Sequence, residues 1–494
     1  MEGGKRADYK QSIPFPILYS GQLKPVLLTK EEIMKIFKVF RLIFLVLMLF
    51  LMGGSGLARE LQSSGYSEAV SANASSAANA AWFNLEVDTP GNTGQYTSMA
   101  IDPSNDNTYI SYYDYTNKTL RMAMNRGSSS SGNCGPDNSW LCQTVDSTYG
   151  VGTYSSIAVY SSTGEIGISY YDATNGQLKY AHGKICPTCS WSIETIDQPI
   201  LFPTDRKGKY SSLKFNSSGT PYIAYYFENT SGVDALKVAY YKGSSGNCGV
   251  GTQAGKWQCD TIQSGEGVGQ YASLAIDALG NRHIAYYDGV NGDLWYAQSG
   301  NMVNCGPGNT WLCIPVDAGS DVGQYASLYV DSGYHFHIAY YDATADKLKY
   351  AVDVGSGGNC GVFGSARCET IAAMPAGYHP MGVSMAEDAG SYPVIAYQSD
   401  NGSLNLARPL AALGLVAGSG NCGPENPFST WYCETIDRSG TWIPYRNGDF
   451  VSIALHQSGL ATIAYNEFVT ASDGNLAIAY QRFQVFSPAI FMDH

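Results

Sequence analysis

Four Tyr-Tyr-Asp triplets are the residues of this sequence best suited to hold a ligand, and they begin at Tyr112, Tyr170, Tyr286 and Tyr340. Aromatic rings stack on the apolar C–H faces of sugars, while carboxylates accept hydrogen bonds from hydroxyl groups. Because aspartate also initiates tight turns by accepting backbone N–H groups, a purely structural role is the alternative. The triplets predict ligand contacts at eight residues: Tyr113, Asp114, Tyr171, Asp172, Tyr287, Asp288, Tyr341 and Asp342.

Segments that depart from the triplet are further candidates for a specific ligand site, because the repeated fold alone does not require their residues. Three segments depart from it, beginning at Tyr225, Tyr397 and Tyr465. Two longer inserts, 197–206 and 438–446, are expected on the same face, and loops outside a scaffold often carry function. We predict that Trp442 and Tyr445 form a stacking platform for the ligand. Simple drift of the loop sequence is the alternative.

Catalytic chemistry has little support in the sequence. It contains no Gly-x-Ser-x-Gly or His-Glu-x-x-His motif, no Walker loop and no dinucleotide-binding fingerprint. His335 and His337 flank Phe336 on one strand face, a spacing compatible with metal binding, but no third ligand accompanies them. A face rich in aspartate can supply two carboxylates for glycoside hydrolysis or oxygen ligands for Ca²⁺. We therefore predict binding without turnover and no cofactor, with Ca²⁺ as the one candidate ion.

Twelve cysteines form six locally spaced pairs with none left over. The alternative to disulfides is zinc, because Cys186 and Cys189 are spaced as CxxC, but the other pairs lack histidines at ligand spacing. Closely paired cysteines without a remainder are typical of an oxidising compartment. We predict six disulfides: Cys134/Cys142, Cys186/Cys189, Cys248/Cys259, Cys305/Cys313, Cys360/Cys368 and Cys422/Cys433.

The elements that position these residues are repeats. In one unit, the segments 272–277, 283–288, 294–297 and 311–316 have the composition of short strands bounded by Gly, Asn or Asp. Seven such units without helices predict an all-β fold, a seven-bladed β-propeller of four-stranded antiparallel blades. A linear β-solenoid is the alternative. A Gly-x-Tyr sequence opens the units at Tyr96, Tyr154, Tyr210, Tyr271 and Tyr325, with weaker copies near Tyr378 and Phe450.

The two ends of the repeat region complement each other. Residues 82–88 match the fourth strand of a unit but precede the first unit. The last unit ends shortly after its third strand, 475–480, and therefore lacks a fourth. Pairing of these two segments removes two exposed sheet edges at once. We predict that the N-terminal strand completes the C-terminal blade and closes the ring.

The N-terminal region has the features of a secretory signal. Lys35, Lys38 and Arg41 precede an apolar run, and small residues follow it. The run is shorter than the about 20 residues of a membrane span, although an uncleaved anchor is the alternative. The predicted organisation is an N-terminal extension and signal peptide (1–58, true start at Met34), a disordered lead-in (59–81), the propeller (82–483) and a C-terminal tail (484–494).

The chain is acidic, with a formal net charge of −13. Removal of residues 1–58, which contain 8 basic and 4 acidic side chains, leaves −17. Such a protein repels nucleic acid and anionic lipid, so neither is an expected partner. Export implies a location outside the cell or on its surface, with a glycan or an extracellular protein as partner and no stable membrane span after signal cleavage.

The units, with their IAYYD, LKYA, NCG and WxCETID segments, resemble those of secreted bacterial β-propeller repeat proteins over about 400 residues. In architecture the chain is also similar to propeller lectins and, weakly, to sialidase-like propellers, although it lacks their Asp-box turns and converging arginines. The resemblance implies a lectin-like protein that binds a carbohydrate or a partner protein. A polysaccharide-acting hydrolase and a surface assembly protein are the alternatives.

Overall fold

The computed structural model describes residues 14–19, 22–27, 80–89, 91–125, 132–184, 190–199, 204–300, 304–319, 321–373, 382–399, 402–416, 418–424, 430–437, 447–470 and 473–483. The chain divides into two compact units, Met1–Val70 and Ser71–His494. In the first unit, β1 (Pro14–Tyr19) and β2 (Gln22–Leu27) form an antiparallel hairpin. Within the ranges given, no helix has the length and apolar character of a membrane span.

The second unit consists of seven four-stranded antiparallel sheets. Blade 1 contains β4 (Gln95–Ile101), β5 (Thr108–Asp114), β6 (Thr119–Asn125) and β7 (Trp140–Asp146). Blade 2 contains β8 (Val151–Tyr160), β9 (Glu165–Asp172), β10 (Gln177–Lys184) and β11 (Ser192–Asp197). Blade 3 contains β12 (Arg206–Phe215), β13 (Pro221–Glu228), β14 (Ala235–Tyr241) and β15 (Trp257–Ser264). Blade 4 contains β16 (Val268–Ile276), β17 (Arg282–Asp288), β18 (Asp293–Ser299) and β19 (Trp311–Asp317).

The remaining three blades follow the same order. Blade 5 contains β20 (Val322–Val330), β21 (Phe336–Asp342), β22 (Lys347–Asp353) and β23 (Ala366–Ala373). Blade 6 contains β24 (Val383–Glu387), β25 (Pro393–Gln398), β26 (Leu404–Pro409) and β27 (Trp431–Asp437). Blade 7 contains β28 (Asn447–Leu455), β29 (Ala461–Thr470), β30 (Asp473–Phe483) and the N-terminal β3 (Ala80–Asp88). The predicted seven-bladed β-propeller is confirmed.

The core lies between neighbouring blades. The second strand of a blade is buried on both faces, and every residue of β5 and of β21 is buried, which explains their nearly continuous apolar and aromatic sequence. Between blades 3 and 4, Ala224 and Leu236 pack with Leu274 and Ile284. A single sheet cannot bury both of its faces alone, so the blades stabilise one another only in a stack.

A ring of seven hydrogen bonds links the innermost strands around the axis. In each junction, a backbone N–H of the first strand donates to a serine hydroxyl in the first strand of the preceding blade, at 2.9–3.1 Å. The seven acceptors are Ser98, Ser156, Ser212, Ser273, Ser327, Ser384 and Ser452. The bond from Met99 to Ser452 joins blade 1 to blade 7, so this ring is continuous.

The strand β3 pairs antiparallel with β30, from Ala80 opposite Phe483 to Asp88 opposite Leu476. The indole Nε1 of Trp82 donates to Glu434 of blade 6 at 3.4 Å, and the Val87 side chain is buried. The N-terminal segment therefore occupies the fourth position of blade 7, as its sequence predicts.

A recurrent clamp joins the blades farther from the axis. The first tyrosine of a triplet donates its hydroxyl to the aspartate that ends the fourth strand of the preceding blade, as Tyr170 does to Asp146 at 2.7 Å. In blades 1, 2, 3 and 5 a basic residue of the third strand binds the same carboxylate, as Lys179 Nζ does at 2.5 Å from Asp146 Oδ2. The tyrosine and aspartate pair recurs as Tyr112–Asp88, Tyr225–Asp197, Tyr340–Asp317 and Tyr465–Asp437. Three segments of the sequence repeat thus converge on one inter-blade contact.

Five of the six predicted disulfides are present: Cys134–Cys142, Cys248–Cys259, Cys305–Cys313, Cys360–Cys368 and Cys422–Cys433. Each closes the connection between the third and fourth strands of a blade. Cys186 and Cys189 lie outside the described residues.

We expect loss of one disulfide to destabilise its blade moderately. The Cys248–Cys259 bridge has a sequence separation of 11 residues, and closing a loop of that size stabilises a fold by about 2–3 kcal/mol in the chain-entropy account. Chemical denaturation of a Cys248→Ser/Cys259→Ser variant measures this loss. An unchanged free energy of unfolding would contradict the expectation, and the wild-type protein under reducing conditions provides a second measurement.

Candidate functional site

Six aromatic residues and one glycine surround the propeller axis where the innermost strands begin. These seven residues, here called the collar, are Tyr96, Tyr154, Tyr210, Tyr271, Tyr325, Gly382 and Phe450. The collar residue stands two positions before the serine of the axial hydrogen-bond ring in every blade. By this register the sixth position belongs to Gly382 and not to Tyr378, which lies outside the described residues. Phe450 takes the seventh position, as its sequence context predicts.

The collar side chains point to the axis because of a local backbone distortion. Each aromatic collar residue has a positive φ of 52–54°, which is uncommon for bulky residues. In blade 4 the pairing of β16 with β17 is irregular between Gln270 and Ser273, so Tyr271 lies in a bulge. Gly269 also has a positive φ, and a Cβ there would lie 2.6 Å from the Leu236 Cα of blade 3. The Gly-x-Tyr sequence therefore encodes a close approach of blades followed by a strained aromatic residue.

The aromatic rings contact one another in sequence around the axis. Their centroids are 4.5–4.7 Å apart along the series Phe450, Tyr96, Tyr154, Tyr210, Tyr271 and Tyr325, with tilted planes. Burial and the neighbouring tyrosines raise the pKa of Tyr96 and of Tyr210 well above the usual value. These phenols are consequently neutral at physiological pH. Strained residues of this kind cluster at ligand sites and cost about 1–3 kcal/mol each.

The collar opens into a cavity of about 220 Å³, here called the axial pocket. Its wall also contains the residue that follows each collar residue: Thr97, Ser155, Ser211, Ala272, Ala326, Val383 and Val451. The described lining thus combines aromatic rings, hydroxyl groups and small apolar side chains, and it contains no carboxylate, amine, guanidinium or imidazole. At about 30 Å³ per water molecule the volume equals about seven waters, so the pocket suits one small ring-shaped ligand or the end of a chain.

The tyrosines predicted to bind a ligand lie behind the collar. Tyr113, Tyr171 and Tyr287 are buried, and their rings contact Tyr96, Tyr154 and Tyr271 edge-on with centroids 6.0–6.3 Å apart. Burial raises the pKa of Tyr113 and of Tyr171 to about 12. Tyr341 is also buried and donates to Asp346 at 2.5 Å. These side chains support the collar, and direct ligand contact by them stays a prediction.

The four predicted aspartates are buried and organise turns. Asp114 accepts hydrogen bonds from the Asn117 backbone at 2.9 Å and from the Asn117 side chain at 2.7 Å. Asp172 and Asp288 hold Asn175 and Asn291 in the same way. Asp342 accepts two backbone N–H groups of its turn, from Thr344 and Ala345. The structure therefore gives all four carboxylates a turn-forming role, and ligand contact by them stays a prediction.

Blade 7, one of the irregular blades, has a different acidic residue at the turn position. Glu467 replaces the turn aspartate in blade 7. Burial, together with the charges of Asp437 and Glu86, raises its pKa to about 7. A carboxyl group that keeps its proton near neutral pH is a possible proton donor. Trp442 and Tyr445, the predicted stacking platform, lie outside the described residues.

The histidines with a metal-like spacing bind carboxylate and hydroxyl groups instead. His337 contacts the Tyr350 hydroxyl at 2.5 Å and Asp331 at 3.4 Å, and His335 contacts the same aspartate at 3.3 Å. Among the described residues, no group of three or more histidine, cysteine, aspartate or glutamate side chains has an arrangement that fits a metal ion. Calcium binding stays a prediction.

Two buried histidines are expected to make stability depend on pH. His283, held between Asp277 at 3.2 Å and Tyr296 at 2.5 Å, repeats the arrangement of His337. Burial lowers the pKa of both imidazoles, although hydrogen bonds to Asp277 and Asp331 oppose the effect. Below about pH 6.5 the unfolded chain binds more protons than the folded one. The contribution of these two histidines to stability is therefore full above that pH and falls as the pH decreases toward their folded-state pKa values.

Thermal unfolding at a series of pH values measures this dependence. We expect a lower midpoint at acidic pH for the wild type and a flatter profile for a His283→Gln/His337→Gln variant. His335→Gln is the matched control, because the His335 side chain is half exposed. Identical profiles for the wild type and the double variant would contradict the expectation.

The collar contains none of the residues that the sequence predicts to contact a ligand. Its tyrosines are visible in the sequence as the fixed aromatic residue of the Gly-x-Tyr segments, but their direction depends on the positive φ within a bulge. The signal that can reveal them is a glycine at a fixed distance before an aromatic residue in most of the units.

No known protein family and no curated protein matches the sequence. Among solved structures, the chain is similar to a lectin of Aleuria aurantia in complex with Fucα1-6GlcNAc, with 13% identity, a TM-score of 0.40 and coverage of 72% of this chain and 100% of the lectin. It is also similar to the GH93 α-L-arabinofuranosidase of Fusarium graminearum with arabinobiose, with 11% identity, a TM-score of 0.41 and coverage of 81% and 98%. A protein of unknown function from Dyadobacter fermentans has 12% identity, a TM-score of 0.39 and coverage of 67% and 94%. At these values the similarities assign no function to the chain.

Proposed function

We propose that this protein is a secreted binding protein that recognises carbohydrate at the axial pocket without chemical turnover. The observation that carries the proposal is the collar itself. Six aromatic rings in a strained backbone conformation surround a small cavity and are only half-buried, whereas the tyrosines behind them are buried. Rings that are held in a costly conformation and left accessible are suited to contact a ligand.

The chemistry of the lining favours a saccharide over other ligands. Aromatic faces contact the C–H surface of a sugar ring, and the tyrosine hydroxyls supply both donors and acceptors for its hydroxyl groups. Pockets of this kind are mostly apolar, with a few placed polar groups that set orientation. The five disulfides support a location outside the cell, because such bridges persist in oxidising compartments.

Binding to a glycan array, together with an assay for released reducing sugar, tests the proposal. We expect binding without release of product. Tyr210→Ala removes two ring contacts at the centre of the collar and is expected to weaken binding about 30-fold, or about 2 kcal/mol. Phe363→Ala is the matched control, because Phe363 is an aromatic residue with a positive φ of 56° that is 99% exposed and lies in the connection between the third and fourth strands of blade 5. Equal losses in both variants, or binding to no glycan, would contradict the proposal.

A second candidate is a glycoside hydrolase that uses Glu467 as proton donor. It is favoured by the raised pKa of Glu467 beside the carboxylate of Asp437, because glycoside hydrolysis requires one carboxyl group that keeps its proton and a second carboxyl group near it. The reducing-sugar assay decides between the two. Release of product by the wild type and its loss in Glu467→Gln would support the hydrolase and overturn binding without turnover.

A further inference from the structure

The axial pocket has two chemically different halves. In blades 1 to 3 the residue after the collar carries a hydroxyl group that donates to the collar carbonyl of the preceding blade. Ser155 Oγ donates to the Tyr96 carbonyl at 2.9 Å, and Ser211 Oγ donates to the Tyr154 carbonyl at 2.8 Å. Thr97 makes the same bond to Phe450. This half of the pocket therefore supplies its own hydrogen-bond donors.

Blades 4 and 5 have alanine, and blades 6 and 7 have valine, where blades 1 to 3 have threonine or serine. Ala272 and Ala326 line the pocket and have no hydroxyl to donate to the carbonyls of Tyr210 and Tyr271. The second-strand residues that pack behind these positions differ in the same way. Ser111 pairs with Ser155 and Ser169 with Ser211, each at 2.9 Å, whereas Ala224 and Ala285 stand at the corresponding positions for Ala272 and Ala326. The carbonyls of Tyr210 and Tyr271 consequently lack the hydroxyl donor that the carbonyls of Tyr96 and Tyr154 have in the following blade.

The electrostatics of this half favour a cation. Carbonyl oxygens are the negative ends of peptide dipoles, and the faces of tyrosine rings attract ammonium groups by about 0.5–2 kcal/mol. The described lining holds no basic side chain, and the chain has a net charge of −13, which raises the local concentration of cations. An anionic ligand meets no oppositely charged side chain among these described lining residues.

We infer that the saccharide unit held in the axial pocket is a protonated amino sugar, whose ammonium group donates to the carbonyl oxygens of Tyr210 and Tyr271 while its ring lies against the collar. This inference rests on the proposed function and adds the chemical class of the ligand. Ala272 and Ala326 are then the residues that determine specificity, because their lack of a hydroxyl leaves the two carbonyls to the ligand.

Titration calorimetry with four ligands tests the inference at about pH 6, where amines are protonated. The ligands are a tetramer of glucosamine, its fully N-acetylated form, the neutral glucose tetramer of the same linkage, and tetramethylammonium. We expect the glucosamine tetramer to bind at least tenfold more tightly than the N-acetylated and neutral tetramers. The preference should decrease with added salt, because part of it is electrostatic.

A substitution that copies the neighbouring blades provides the matched variant. Ala224→Ser/Ala272→Ser reproduces the Ser169 and Ser211 pair, so the new hydroxyl can occupy the Tyr210 carbonyl. We expect at least a tenfold loss of the preference for the amine with unchanged thermal stability. The reverse variant, Ser169→Ala/Ser211→Ala, exposes the Tyr154 carbonyl and is expected to keep or increase the preference.

The outcomes separate the two proposals. If the neutral or N-acetylated tetramer binds as tightly as the amine, the inference is wrong while carbohydrate binding stands. If no saccharide binds, the proposed function is wrong as well. Binding of tetramethylammonium without any tetramer would identify a small organic cation as the ligand and overturn the amino sugar.

Discussion

Removal of residues 1–89 is expected to abolish the folded propeller, whereas removal of residues 1–79 leaves it intact. The longer truncation deletes β3, which completes blade 7. It removes the buried Val87 and the partly buried Trp82 and Leu85, each worth about 1.5–3 kcal/mol when fully buried. The total of about 5 kcal/mol is comparable to the whole stability of many domains. The longer truncation also exposes the edge of β30, and an exposed edge strand promotes aggregation.

Size-exclusion chromatography and chemical denaturation of the two truncated chains measure the difference. A synthetic peptide of residues 80–89 is expected to restore cooperative unfolding to the longer truncation, because a strand can be added to an open sheet edge in trans. Equal stability of the two chains would show that β3 does not close the ring.

Asp146→Ala is expected to lower the free energy of unfolding by about 3–5 kcal/mol, the usual result of removing one partner from a buried ion pair. Asp146 and Lys179 are both largely buried, and Tyr170 donates to the same carboxylate. Burial alone raises the pKa of Asp146, but the hydrogen bonds from Lys179, the Thr148 backbone and Tyr170 lower it overall. Without the carboxylate, Lys179 is a buried cation that lacks this counter-charge.

The chain itself offers the matched control. At the junction of blades 3 and 4, Tyr286 donates to Gln263 in place of an aspartate, and Trp295 stands at the position of Lys179. Asp146→Gln/Lys179→Trp copies this neutral junction and is expected to destabilise the fold clearly less than Asp146→Ala. Chemical denaturation compares the two variants. A double variant as unstable as the single one would contradict the ion-pair account.

The fold was largely predictable from the sequence because its units repeat. The strand boundaries follow from turn residues, and the closing role of Trp82 to Asp88 follows from its match to the other fourth strands. The clamp was not predicted, although all of its parts were visible. Tyr170, Lys179 and Asp146 belong to three separate segments, and only the stacking of one blade on the next brings their side chains together.

The candidate site was less predictable than the fold. The triplet tyrosines and aspartates are predicted from the sequence to contact a ligand, and this role stays a prediction. The structure adds that they form turns, as at Asp114, and pack behind the collar, as at Tyr113. The collar tyrosines face the axis because of a positive φ, and a tyrosine in the sequence does not indicate that conformation. Whether a collar carbonyl accepts a hydroxyl donor depends on a single exchange of serine for alanine in the next blade. Such differences are small in sequence and decisive in the chemistry of the pocket.

A crystal structure of the protein with a bound oligosaccharide identified by the glycan array is the most direct test of this account. It should place one sugar ring on the propeller axis, in contact with the rings of Tyr154, Tyr210 and Tyr271. A sugar bound between the outer strands of neighbouring blades, with the axial pocket filled only by water, would contradict it.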